Sequence, residues 1–202
     1  MKMILATLRF VTRVSIVGLA GLLIGCTNMD VTDFKDGKPA LVLEEYFDGR
    51  TVAAGLFQDR FGTVRRQFVV EIDGNWDGKV LRLVEDFIYS DGETEQRIWT
   101  LTKLDEHRYE GRADGVVGMA GGAAYGNAFN WRYTFDLKVG DGTWRVDFDD
   151  WMFLQEGGVL INKATVSKWG ITLGEVTLAF HKPGMLRAEN DNNYRAFASV
   201  AE

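Results

Sequence analysis

Residues 144–154 read Trp-Arg-Val-Asp-Phe-Asp-Asp-Trp-Met-Phe-Leu, and this stretch decides the fold. Taken in steps of two, Trp144, Val146, Phe148, Asp150, Met152 and Leu154 share one face, and Arg145, Asp147, Asp149, Trp151 and Phe153 share the other. Side chains alternate across a strand, so the pattern predicts a half-buried β-strand. The anomaly is Asp150, a carboxylate in the middle of the apolar face. A buried charge is costly unless paired or hydrogen-bonded, so neighbouring strands are expected to supply a partner. Asp149 points the opposite way, which argues against reading the two acids as a metal or catalytic pair.

Working outward, the same alternation recurs between turn signals at Asp73-Gly74, Asp77-Gly78, Asp91-Gly92, Asp105-Glu106, Asp141-Gly142, Gly157-Gly158 and Trp169-Gly170. Its apolar faces include Val64, Phe68, Val70 and Ile72, then Leu81, Leu83, Phe87 and Tyr89, and later Phe129, Trp131, Tyr133, Phe135, Leu137 and Val139. Roughly eight to nine strands joined by short turns predict an all-β fold, an up-and-down antiparallel barrel or a highly curved sheet. Two prolines against 23 glycines and 12% aromatics suit that architecture. A short N-terminal helix is predicted from Pro39 to about Phe47, ended by Asp48-Gly49, with Leu41, Val42, Tyr46 and Phe47 against the barrel end. The Gly-rich run 115–126 reads as a bulged strand or corner, with a portal loop carrying Met119 and Tyr125 as the alternative. Trp76 and Trp169, beside turns, read as plugs of the barrel ends or as membrane contacts, with plugs preferred.

The start of the chain has a different logic. Lys2, Arg9 and Arg13 form a basic region, and Val14 to Ile24 an apolar run of signal-peptide length, too short to span a bilayer comfortably. The run closes in Leu23-Ile24-Gly25-Cys26, a bacterial lipobox, which makes Cys26 the expected lipid acceptor. Thr27 stands where an Asp would signal inner-membrane retention, so the expected location is the outer membrane, periplasmic side, lipid-anchored. The organisation predicted is a lipoprotein signal peptide at 1–25, acylated Cys26 and a polar tether at 26–38, a barrel domain at 39–183 and a polar tail at 184–202. Removing the first 25 of 202 residues leaves 177, one domain's worth, and takes the net charge from −6 to −9. A surface that acidic argues against nucleic acid as a partner and against electrostatic attraction to anionic lipid heads. Cys26 is the single cysteine, so no disulfide is expected. A membrane-spanning barrel is the competing reading; the lipobox and the marginal strand number argue against it.

Several blocks recur in an order that resembles a known family. They include Gln58-Asp59-Arg60-Phe61-Gly62, Asp86-Phe87-Ile88-Tyr89-Ser90-Asp91-Gly92, Phe148-Asp149-Asp150-Trp151-Met152 and Lys168-Trp169-Gly170-Ile171. The chain is similar, from about Leu41 to Lys182, to a family of Gram-negative lipoproteins catalogued as a domain of unknown function. The resemblance implies a lipid-anchored periplasmic-side protein with a lipocalin-like barrel, and it carries no catalytic residues with it.

A small polar set interrupts the apolar faces. Arg66 lies among Val64, Phe68 and Val70; Glu85 lies between Leu83 and Phe87; Arg97 shares a face with Trp99 and Leu101; Asn162 and Lys168 share one with Leu160, Ala164 and Val166. With Asp150 these make a nearly balanced interior network. One reading is structural, ion pairs that fix register in a barrel without a ligand, serving an accessory envelope role. The functional reading is a ligand cavity. Trp99, Trp131 and Tyr133 with the apolar walls take a fatty acid or related lipid, and a leftover cation among Arg66, Arg97 and Lys168 meets its head. A third reading is an enzyme on a lipid using Glu85 and Asp150 as general acid and base. His107 and His181 lie far apart with no ligand at recognised spacing, and Ser90 and Ser167 have no nucleophile elbow around them. No metal, cofactor or catalytic nucleophile is therefore expected; the accessory reading implies an envelope protein partner whose identity the sequence does not give.

Overall fold

The computed structural model describes residues 29–184, so the signal region, Cys26 and the tail beyond Gly184 lie outside the described residues. Ten strands follow a short helix α1 (Leu43–Phe47): β1 (Gly49–Asp59), β2 (Val64–Trp76), β3 (Val80–Tyr89), β4 (Thr94–Lys103), β5 (Arg108–Arg112), β6 (Val116–Tyr125), β7 (Ala128–Val139), β8 (Gly142–Leu154), β9 (Leu160–Lys168) and β10 (Ile171–His181). Each strand pairs antiparallel with its neighbours in sequence, and β1 pairs with β10 to close the barrel. The all-β up-and-down barrel is as expected; the strand number is ten, not eight to nine.

The additional strands escaped the period-two pattern because they are built of small residues where the wall is crowded. A Cβ at Gly55 in β1 would lie 2.7 Å from the Thr177 carbonyl oxygen and 2.8 Å from Leu178, and one at Gly122 in β6 would lie 2.0 Å from the Asn130 oxygen. The Gly-rich run is a bulged strand, its register with β7 slipping between Val117 and Gly121. Asp73-Gly74 is not a turn but the interior of β2. Gly74 is needed there because the Phe47 carbonyl oxygen sits 1.8 Å from where its Cβ would be.

At the centre, β8 runs beside β7 in unbroken register from Phe153 opposite Ala128 to Gly142 opposite Val139. Its even residues face inward: Val146, Asp150 and Leu154 are buried, and Phe148 and Met152 line the interior. Trp144 shares that face, and Val64 and Val139 fall in step with the inward residues of β2 and β7, yet all three are exposed, because parity sets the face of a strand and not how deep a residue sits.

The helix begins later than expected, at Leu43: Val42 is extended, and the Leu41 N–H donates to the Gly126 carbonyl between β6 and β7. Leu43 and Phe47 cap the lower core with Ile72, Leu81, Phe129 and Leu160. The buried Glu44 ties α1 to the wall, accepting hydrogen bonds from Lys103 and from the Tyr109 hydroxyl at 2.7 Å. Part of the expected polar tether is also fixed. Val31–Phe34 forms a 3-10 turn, and Phe34 packs 5.2 Å from Phe153 and 6.0 Å from Trp151 on the outer face of β8. From Val31 to Gly184 the described chain has a self-closed sheet and an internal core, the conditions under which a domain folds on its own.

Candidate ligand-binding lumen

The strand hairpins leave one end of the barrel floored and the other open. A cavity of about 680 Å³ runs from Leu43 and Phe47 of α1 to Asp59, Arg65, Lys138 and Val139 at the opposite hairpin tips. That size falls in the range of roughly 300–1,000 Å³ usual for small-molecule sites. Aromatic contacts hold the wall. Trp99 meets Trp131 edge-on at 5.8 Å and Tyr133 at 5.2 Å, and Tyr133 stacks on Phe148 at 4.8 Å. Such pairs contribute about 0.5–1.5 kcal/mol each beyond the area they bury.

Half-way along the lumen the apolar lining is broken by a polar belt of Glu85, Arg97, Tyr133, Asp150 and Asn162. Period two places these side chains inward, and the register places Glu85 directly opposite Arg97. The guanidinium is nevertheless committed elsewhere: Arg97 Nη2 donates to Glu95 Oε1 at 2.7 Å and lies over the rings of Phe135 at 4.8 Å and Phe87 at 5.2 Å. Among the described residues, no hydrogen bond reaches the Glu85 carboxylate. Burial away from bulk water pushes its pKa up to about 7; the Arg97 charge opposes the rise and the charges of Asp150 and Glu95 add to it. Its residual exposure is to the lumen.

Asp150, the anomaly in the sequence, finds its partner on the next strand. Asn162 Nδ2 donates to Asp150 Oδ1 and, at 3.2 Å, to the Trp151 carbonyl. No cation is paired with Asp150 among the described residues, and burial raises its pKa to about 6 against the pull of the Asn162 bond. Burial also holds the Tyr133 hydroxyl well above its ordinary range, with the Asp150 charge adding to the effect. Asp149 points outward to Arg132 and Asn130, so the two adjacent acids do diverge.

The lumen thus brings together Glu85, Arg97, Trp99, Trp131, Tyr133, Asp150 and Asn162 from the sequence-derived set. Arg66 is at the rim of the cavity, donating to Asp91 and Glu93 and lying 3.5 Å from the Tyr89 ring centroid. Lys168 is not in the lumen; its ammonium sits over Trp144 at 4.7 Å and Trp169 at 4.9 Å. The expected spare cation is therefore absent from the belt among the described residues. The residue missed is Glu95, two positions before Arg97 and on the same face. It also accepts the Tyr89 hydroxyl at 2.8 Å, and although burial would raise its pKa, the charge and hydrogen bond of Arg97 hold it low. Trp169 is 87% exposed, so it plugs nothing, whereas Trp76 packs partly buried against the lower core.

A closed antiparallel barrel with a floored, aromatic-lined lumen defines a lipocalin-like fold. Consistent with that, the chain is similar in structure to an S-type phycobiliprotein lyase, CPES, from Guillardia theta. The TM-score is 0.51 at 10% sequence identity, over 76% of this chain and 92% of the other. At that identity the likeness is one of fold. Among curated proteins none matches the sequence. The chain belongs to DUF3833, a family described as a protein of unknown function, whose model matches residues 20–182.

Proposed function

We propose that this protein binds an elongated hydrophobic ligand in the barrel lumen, a single-chain lipid of which a fatty acid is the simplest example. The observation that carries this reading is the apolar cavity of about 680 Å³ running the length of a closed barrel. A barrel serving only as a scaffold gains stability by filling its interior, since each void forfeits contacts its lining would otherwise make. Native mass spectrometry with lipid extraction tests it. A stoichiometric bound species, or uptake of one equivalent of added lipid, is expected. An empty protein that ignores added lipids would return the belt to a structural role and direct attention to a protein partner.

The lipobox at Leu23–Cys26 supports the further proposal that the barrel is held at the outer membrane, on its periplasmic side, by acylation of Cys26. Intact-mass measurement of membrane-extracted protein would show the acyl chains.

One observation favours a second reading. Glu85, with its pKa raised to about 7 in the lumen, is a carboxyl of the kind that works as a general acid or base, with Asp150 as its counterpart. An enzyme would return added lipid chemically altered, and a carrier would return it unchanged.

A further inference from the structure

We propose that the lumen selects amphiphiles whose polar group donates hydrogen bonds, such as an alkyl amine or alcohol, over those ending in a carboxylate. This narrows the ligand class and rests on the ligand-binding reading above.

The argument is a census of the belt. Two acids line it, Glu85 from β3 and Asp150 from β8, against one cation, Arg97 from β4, which a third acid, the more exposed Glu95, pairs from outside the lining. That cation is ion-paired with Glu95 and stands opposite Glu85, so its single charge is matched before a carboxylate head arrives. The acceptors are not spent. Glu85 has no donor from the described residues, and the one side-chain donor to Asp150 is Asn162. Buried polar groups are ordinarily hydrogen-bonded, and a lumen-facing carboxylate without a donor is completed by a ligand that brings one. A carboxylate head placed at the belt would set a further acid beside Glu85 and Asp150, whose own ionisation burial already opposes.

The remaining cations facing the cavity, Arg65, Arg66 and Lys138, stand at the hairpin tips. Arg65 is paired with Asp59, and Arg66 with Asp91 and Glu93. A fatty acid inserted tail-first would leave its head beside the exposed Arg65 and Lys138, where pairing is weak, and beside Arg66, whose charge two carboxylates already share. Its tail would then pass Glu85 and strip water from it without supplying a donor. An amine or alcohol is free of both costs.

The test uses residues 31–184 and the uncharged fluorophore N-phenyl-1-naphthylamine as the lumen probe, competed with dodecylamine, dodecanol and dodecanoate below their micelle concentrations. The expected result is displacement by the amine and the alcohol at least about tenfold more effective than by dodecanoate, a ratio within reach of one charge-assisted hydrogen bond. Glu85→Gln is expected to narrow the gap, and Asp150→Asn serves where that variant does not fold. Probe binding with dodecanoate displacing as well as or better than the others overturns the selectivity while leaving the binding reading intact. No binding of the probe or of any chain overturns the binding reading itself.

Discussion

At the residue scale the chemistry is concentrated in two carboxyls. Glu85 and Asp150 have pKa values raised by burial to about 7 and about 6, so the folded state holds their protons where the unfolded chain has released them. Stability from these two groups is full below their unfolded values and is lost as pH rises through the folded ones. Thermal melts of the empty barrel should therefore show stability falling between about pH 5 and about pH 8, by on the order of 1–3 kcal/mol. Glu85→Gln should flatten that fall. A wild-type melt that rises or stays level across the window would contradict the assignment. Asp150 was legible in the sequence as a charge on an apolar face, and so were Glu85 and Arg97. What the pattern could not give is pairing: it leaves Arg97 free to serve a ligand, whereas Glu95, on the same face two residues earlier, takes it.

At the element scale the informative pieces are α1 and the small-residue strands. Alternation exposed β8 because its side chains are large and of two kinds. It is weakest at β1 and β6, whose glycines and alanines answer to backbone crowding that no local pattern records, although the Gly-rich run was open to reading as a bulged strand. Gly74 is the sharpest case, reading as a turn residue and serving as the seat of the Phe47 carbonyl. Gly74→Ala should unseat α1, lowering stability and exposing the floor of the lumen; faster hydrogen exchange at Leu43–Phe47 with the strands still protected would show it. Exchange unchanged in α1 would mean the floor is held otherwise. In the lower core, Leu81 is fully buried, and Leu81→Ala should cost about 2–5 kcal/mol in denaturant unfolding.

At the scale of the whole molecule the barrel has two unlike ends. The floored end carries α1, Glu44 with Lys103, and the partly buried Trp76. The open end carries Trp169, Phe61 (78% exposed) and Trp144 (45% exposed) beside Arg60 and Lys168. Trp169→Ser should leave the melting temperature unchanged, since the ring is almost wholly in solvent. Its effect, if the tips admit the ligand, is on the rate of lipid uptake, which stopped-flow fluorescence reads. The central claim is that the lumen is the binding site. The most direct measurement is probe binding to Ala164→Trp, which places a large ring in the cavity at a buried wall position opposite Asp150 on the neighbouring strand. Wild-type barrel should take up one equivalent of N-phenyl-1-naphthylamine and the folded variant none; equal uptake by both would place binding outside the lumen and contradict the account.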